Sequence, residues 1–150
     1  MTTPPQTRSD AGLATALRIS VSRLARRMRA QRLASGLEPG LSDTQLAALS
    51  ALERHGTMTP GELAEHEKVQ PPSMTRVVAV LEERGLVIRQ PHASDRRQVV
   101  LTATDQGKEV VRQSRRLREA WLAQRLRELT PAERTLLRQA AAILEKLSQS

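Results

Sequence analysis

The sequence contains no cysteine, no phenylalanine and no tyrosine, and Trp121 is its single tryptophan. Without cysteine, disulfides, thiolate-bound metals and a thiol redox switch are all excluded, so any regulation must use other chemistry. Without Phe and Tyr the chain lacks the stacking platforms on which single-stranded nucleic-acid binders depend. No apolar run approaches the length of a membrane span. The opening segment MTTPPQTRSD has neither the basic nor the apolar stretch of a signal peptide. These absences predict a cytoplasmic protein with no membrane partner. Gly-rich phosphate loops, nucleophile elbows and paired-carboxylate motifs are missing as well, which argues against an enzyme and against a bound cofactor. The histidines offer little: His55 sits beside Gly56 at a helix end and His92 falls in a loop. Glu62 and His66 are one helical turn apart, but two such residues on a short helix of an arginine-rich chain more commonly face solvent, and no metal site is expected.

Positive charge is what the chain has in excess. Lys and Arg number 24 against 16 Asp and Glu, a formal net charge of +8 over 150 residues. An anionic partner is implied, with nucleic acid ahead of a membrane surface. Most of the cations are Arg, whose planar fork matches phosphate oxygens and guanine edges. With stacking groups scarce, duplex DNA is favoured over RNA.

Apolar spacing and helix-start signals divide the chain. Residues 1–9, rich in Pro, Thr and Ser, read as a disordered arm. Leu13, Leu17, Val21, Leu24 and Met28 recur at helical spacing and predict a long helix over 10–36. Ser42 followed three residues later by Gln45 is a capping box, and Thr59-Pro60-Gly61-Glu62 is a sharper one with proline at the first helical position. Pro71 and Pro72 open a further helix on which Met74, Val77, Val78 and Leu81 share a face, closed by Gly85 as a left-handed cap. Leu86–Gln90 and Gln98–Thr102, rich in Val, Ile and Leu, predict two strands around the polar loop 91–97. A basic helix from Thr104 to about Glu128 and a last one opened by Thr130-Pro131-Ala132-Glu133 complete the chain.

Helix, short helix, second helix and hairpin in that order describe a winged helix-turn-helix over 42–102. The expected fold is mainly α with a small β-hairpin wing, flanked by N-terminal (10–36) and C-terminal (104–150) dimerisation helices integrated into one domain. The dimer is expected because Leu136, Leu137, Ala140, Ile143, Leu144 and Leu147 form a stripe that so short a chain cannot readily cover, with Leu13 and Leu17 on the first helix as further contacts. If Met74, Val77, Val78 and Leu81 face inward, Arg76 points outward with Ser73 and Thr75 on the flanks. That surface is small, polar and singly cationic, as a helix entering the major groove requires. At the hairpin tip, Arg96 and Arg97 could reach a narrow minor groove, and Asp95, a poor DNA contact by charge, would brace a neighbouring Arg. For both groups the competing reading is an ordinary solvated charged surface.

These residues carry a resemblance that spans nearly the whole chain. The segment Ser94-Asp95-Arg96-Arg97-Gln98-Val99-Val100-Leu101-Thr102, followed by Thr104-Asp105-Gln106-Gly107, is similar to the wing of the MarR family of bacterial regulators and its exit into the long helix. Pro72-Ser73-Met74-Thr75-Arg76 with Leu81-Glu82-Glu83-Arg84-Gly85-Leu86 resembles that family's recognition helix and its end. The resemblance implies a homodimer joined through the terminal helices, binding double-stranded DNA at a pseudo-palindromic operator, usually as a repressor released by a small-molecule effector. It places Ser73, Thr75 and Arg76 at DNA-reading positions, Asp95 at a bracing position and Arg97 at the wing tip. The chain departs from the family's peroxide sensors, which use a reactive cysteine, and from members with aromatic-lined pockets, toward which Trp121 alone could contribute. The effector's binding residues stay unassigned. Two rivals remain at this point: a nucleoid-associated protein coating DNA with little sequence preference, for which the charge is equally suitable, and a protein-binding helical module.

Overall fold

Local capping chemistry starts most of the helices. In the computed structural model, which describes residues 7–36 and 40–149, α1 (Asp10–Ala34) begins where the Ser9 hydroxyl accepts the Gly12 N–H at 3.1 Å. Ser9 is therefore a helix cap and not part of a free arm; residues 1–6 of the expected arm lie outside the described residues. The boxes expected for α2 (Asp43–His55), α3 (Pro60–Glu67) and α6 (Pro131–Ser148) are all formed. In each, the cap hydroxyl of Ser42, Thr59 or Thr130 accepts the third-residue N–H, and the Gln45, Glu62 or Glu133 side chain accepts in return. Thr104 caps α5 (Asp105–Arg127) by accepting the Gly107 N–H at 3.1 Å.

Helix α4 (Pro71–Glu83) ends as its sequence predicts. Gly85 takes a φ of 70°, the Leu86 N–H bonds to the Leu81 carbonyl, and the Gly85 N–H bonds to that of Glu82. The strands β1 (Val87–Pro91) and β2 (Val99–Ala103) pair antiparallel with Val87 opposite Ala103 and Pro91 opposite Val99. Both lie one residue later than expected: the Leu86 N–H is taken by the Leu81 carbonyl in the helix cap, and regular pairing begins at Val87. Met58 exchanges two backbone bonds with Leu101, 3.2 and 2.7 Å, adding a one-residue third partner on the free side of β2 that periodicity did not reveal.

The chain divides into two compact units, Ser35–Arg116 and a helical one built from α1, α5 beyond Arg116, and α6. All buried apolar side chains among the described residues lie between Leu41 and Val111, within the first unit. There α2, α3, α4, the hairpin and the start of α5 enclose Leu49, Leu52, Leu63, Met74, Leu81, Leu86 and Leu101, each under 2% exposed. Gly107 admits the closest approach, since a Cβ there would stand 2.2 Å from the Leu86 carbonyl oxygen. The Thr104 hydroxyl donates to the Gly85 carbonyl at 2.7 Å and the Thr104 N–H to that of Leu86 at 3.0 Å. Arg115 reaches Glu53 of α2 at 3.2 Å. In the helical unit Arg32 is the one buried residue described, and Trp121 is covered by the Arg125 guanidinium 5.7 Å from its ring.

Candidate nucleic-acid interface

The first turn of α4 differs from every other helix start among the described residues. The other helices each place a Ser or Thr hydroxyl at the cap and an acidic residue in the first turn: Asp10, Asp43, Glu62, Asp105 and Glu133. Helix α4 has neither. Its cap residue Gln70 makes no side-chain cap bond, and no acidic residue occupies the first turn. Proline at the first two positions removes two of the N–H groups that would otherwise need an acceptor. The partial positive charge of the helix end is thus left uncompensated by the chain itself, which suits an approaching phosphate backbone.

The side chains expected to read DNA sit here as the helical wheel requires. Met74, Val77, Val78 and Leu81 are buried, while Ser73, Thr75 and Arg76 are exposed. Thr75 donates its hydroxyl to the Pro71 carbonyl at 3.0 Å, which leaves its oxygen lone pairs and methyl group outward. Ser73 and Arg76 have no side-chain partner among the described residues. Gln70 adds a free carboxamide at the same end, a group that can fork onto adenine. The helical wheel that picked out Ser73, Thr75 and Arg76 did not extend to Gln70, which precedes the first helical residue.

The second group, Asp95, Arg96 and Arg97, occupies the exposed tip of the hairpin. Asp95 does hold an arginine, but not by its guanidinium: its Oδ1 accepts the main-chain N–H of Arg97 at 3.0 Å. The physical reason is reach, since an aspartate in a tight turn meets the amide two residues on before it meets any side-chain head. The Gln98 N–H bonds to the Asp95 carbonyl at 3.0 Å and the His92 N–H to that of Gln98 at 2.9 Å, closing the loop. Arg96 and Arg97 side chains have no partner among the described residues. The base of the hairpin is fastened to α4 by Arg89, whose Nε lies 2.6 Å from Glu82. Among the described residues no hydrogen bond or ion pair links Ser73, Thr75 or Arg76 to Asp95, Arg96 or Arg97.

Nothing in the described residues gathers three or more possible metal ligands. Glu62 is committed to the Thr59 cap, and His66 packs edge-on against His55 with ring centroids 4.8 Å apart. No helix among the described residues is long and apolar enough to cross a membrane.

Comparison with known proteins agrees with this geometry. The MarR family model matches residues 41–99, the segment that runs from the start of α2 to the wing. An HTH-type transcriptional regulator of Mycobacterium leprae is 46% identical over 143 residues, covering 95% of this chain and 97% of that protein. The chain belongs to the MarR family. The HTH-type transcriptional repressor MdtR of Bacillus subtilis is 31% identical over 134 residues, covering 89% of this chain and 84% of the repressor. The crystal structure of RV1404 from Mycobacterium tuberculosis superposes with a TM-score of 0.85 at 27% identity, covering 95% of this chain and 97% of that one. MarR family members are DNA-binding transcription regulators and not enzymes, and this protein is a winged-helix regulator of that kind.

Proposed function

We propose that the protein is a cytoplasmic homodimer that recognises a pseudo-palindromic operator in duplex DNA and represses transcription until a small-molecule effector releases it. The observation that carries this reading is the first turn of α4: uncapped, without acid, and presenting Ser73, Thr75 and Arg76 outward. Apart from the Thr75 hydroxyl bond to Pro71, these side chains have no partner among the described residues. In this reading those three residues enter the major groove while Arg96 and Arg97 grip the adjacent minor groove or its phosphates, with Asp95 setting the backbone from which Arg97 projects. That MdtR, 31% identical, is a transcriptional repressor supports the sign of regulation.

Dimerisation through the terminal helices is supported by exposed apolar side chains. Leu13, Leu17, Leu136, Leu137, Ile143, Leu144 and Leu147 are 37–61% exposed in the single chain, and Ala140 lies half-buried among the α6 group. Two copies also suit a palindrome, since recognition helices about 34–36 Å apart meet successive major grooves on one DNA face.

Selection on random duplexes, then a gel shift of the winning site against excess unrelated DNA, tests the reading. A specific complex should survive, and Arg76→Ala should weaken it by about 1–3 kcal/mol while relaxing preference at one position per half-site. Equal losses on selected and scrambled DNA would remove Arg76 from base reading. Stripping of the complex by the competitor would favour the coating protein instead.

A further inference from the structure

We infer that His92 is a positioning residue for the wing, holding the turn that presents Arg97 only while its imidazole is neutral. The inference rests on the reading of the hairpin as a DNA-gripping wing. His92 lies at the start of the loop, half-buried, and its Nδ1 is the focus of three groups: the Ser94 N–H at 3.2 Å, the Asp95 N–H at 3.3 Å and the Ser94 hydroxyl at 3.0 Å. Backbone amides can only donate, so Nδ1 must carry the lone pair and the ring proton must be on Nε2. The ring thereby does for Ser94 and Asp95 what a capping side chain does for a helix start. Its bond to Asp95 is nested with those of Asp95 to Arg97 and to Gln98, so one imidazole orders the turn from residue 92 to residue 98.

A proton added at Nδ1 turns the acceptor into a donor. Two amides then face a third N–H, and the turn must open or the ring must swing away. The ionisable side chains of its own loop are Asp95, Arg96 and Arg97. Strand β2 carries no ionisable side chain, and Arg89 of β1 is already paired with Glu82 of α4. Protonation also frees the ring to donate toward the Asp95 carboxylate, in competition with the Arg97 N–H that this carboxylate now holds. Operator affinity should therefore fall as the pH drops through the range in which histidines gain a proton. The opposite sign is expected if His92 merely sits near phosphate, because an imidazolium would be attracted to it.

The test compares the wild type with H92N and H92Q between about pH 8 and pH 6. Asn places a permanent acceptor near the Nδ1 position without titrating, whereas Gln cannot present one there. Operator affinity of the wild type should drop about tenfold over this interval, H92N should stay flat within about twofold, and H92Q should be weak throughout. In the DNA-free protein the Ser94, Asp95 and Arg97 amide resonances should move together with the His92 ring titration, and should not move in H92N. Matching pH profiles for wild type and H92N, tighter wild-type binding at low pH, or amides indifferent to the ring would each overturn the inference. Failure to bind DNA at either pH would instead strike at the wing reading, and the free-protein amides would still decide whether the ring holds the turn.

Discussion

The winged-helix unit and the helical unit solve the problem of burying apolar surface in different ways. In Ser35–Arg116 the apolar faces of α2, α3, α4 and the hairpin converge, and large side chains such as Leu49, Leu63 and Leu81 have no exposed surface at all. In the helical unit, α6 has no buried residue and α1 buries Arg32 alone. All the exposed large apolar side chains described except Ile88 and Val99 lie in that second unit. Three- and four-residue spacing looks alike in both, yet only one unit has enough elements of its own to close over its stripe. An amphipathic pattern announces that a face wants burial without saying which molecule supplies the cover.

The sharpest way to break the first unit is to fill its tightest contact. Gly107→Ala places a methyl group where the Leu86 carbonyl oxygen stands, so the α5 start and the hairpin must part; a loss of about 3 kcal/mol in urea unfolding is expected. A stability near that of the wild type would mean that this helix start is free to shift. In the helical unit the corresponding change is one of polarity. Leu136→Glu combined with Ile143→Glu should leave the winged-helix unit folded but weaken self-association by about 2 kcal/mol, read by sedimentation as a move toward monomer. An unchanged sedimentation profile would exclude α6 from the dimer contact.

Smaller effects refine the DNA-facing part. Asp95→Ala removes the acceptor for the Arg97 N–H and should cost about 1 kcal/mol of operator binding, whereas Asp95→Asn keeps a side-chain oxygen in place and should stay within a few tenths. Equal losses in both variants would point to the charge, and hence to a guanidinium partner formed on DNA.

The smallest expected effect is at the α6 start. Glu133 is held below the ordinary glutamate range, first by the Thr130 backbone N–H and then by the Thr130 hydroxyl. A carboxylate favoured in the folded state adds stability above its unfolded pKa and loses it as pH falls through the folded one. The melting temperature of Glu133→Gln should thus lie slightly below that of the wild type at neutral pH, with the gap closing as the pH falls below the ordinary glutamate range. A gap that widens in acid would contradict this.

Much of this architecture is written locally. The capping boxes at Ser42, Thr59 and Thr130 need only residues three apart, and Gly85 needs only the left-handed backbone that a Schellman cap demands. The face of α4 that would meet DNA was legible because helical geometry assigns every residue once four inward positions are known. The hairpin was legible as two apolar runs, but its register was not: a run of Leu and Val does not reveal that Leu86 belongs to the preceding helix cap. The single bridge at Met58 has no period to detect.

Where the helices start, which surface of α4 stays polar, the strong positive charge and the closure of thiol chemistry can all be read from the residues in order. These follow from interactions within a turn or two, or from composition. Three features had to wait for the folded chain: Asp95 grips a main-chain amide and not a guanidinium, the His92 ring meets the Ser94 and Asp95 amides, and Gly107 sits against the Leu86 carbonyl. Each of these depends on the position of a single donor, acceptor or carbonyl to within a few tenths of an ångström. Residue spacing along the chain does not carry that precision until the core has folded.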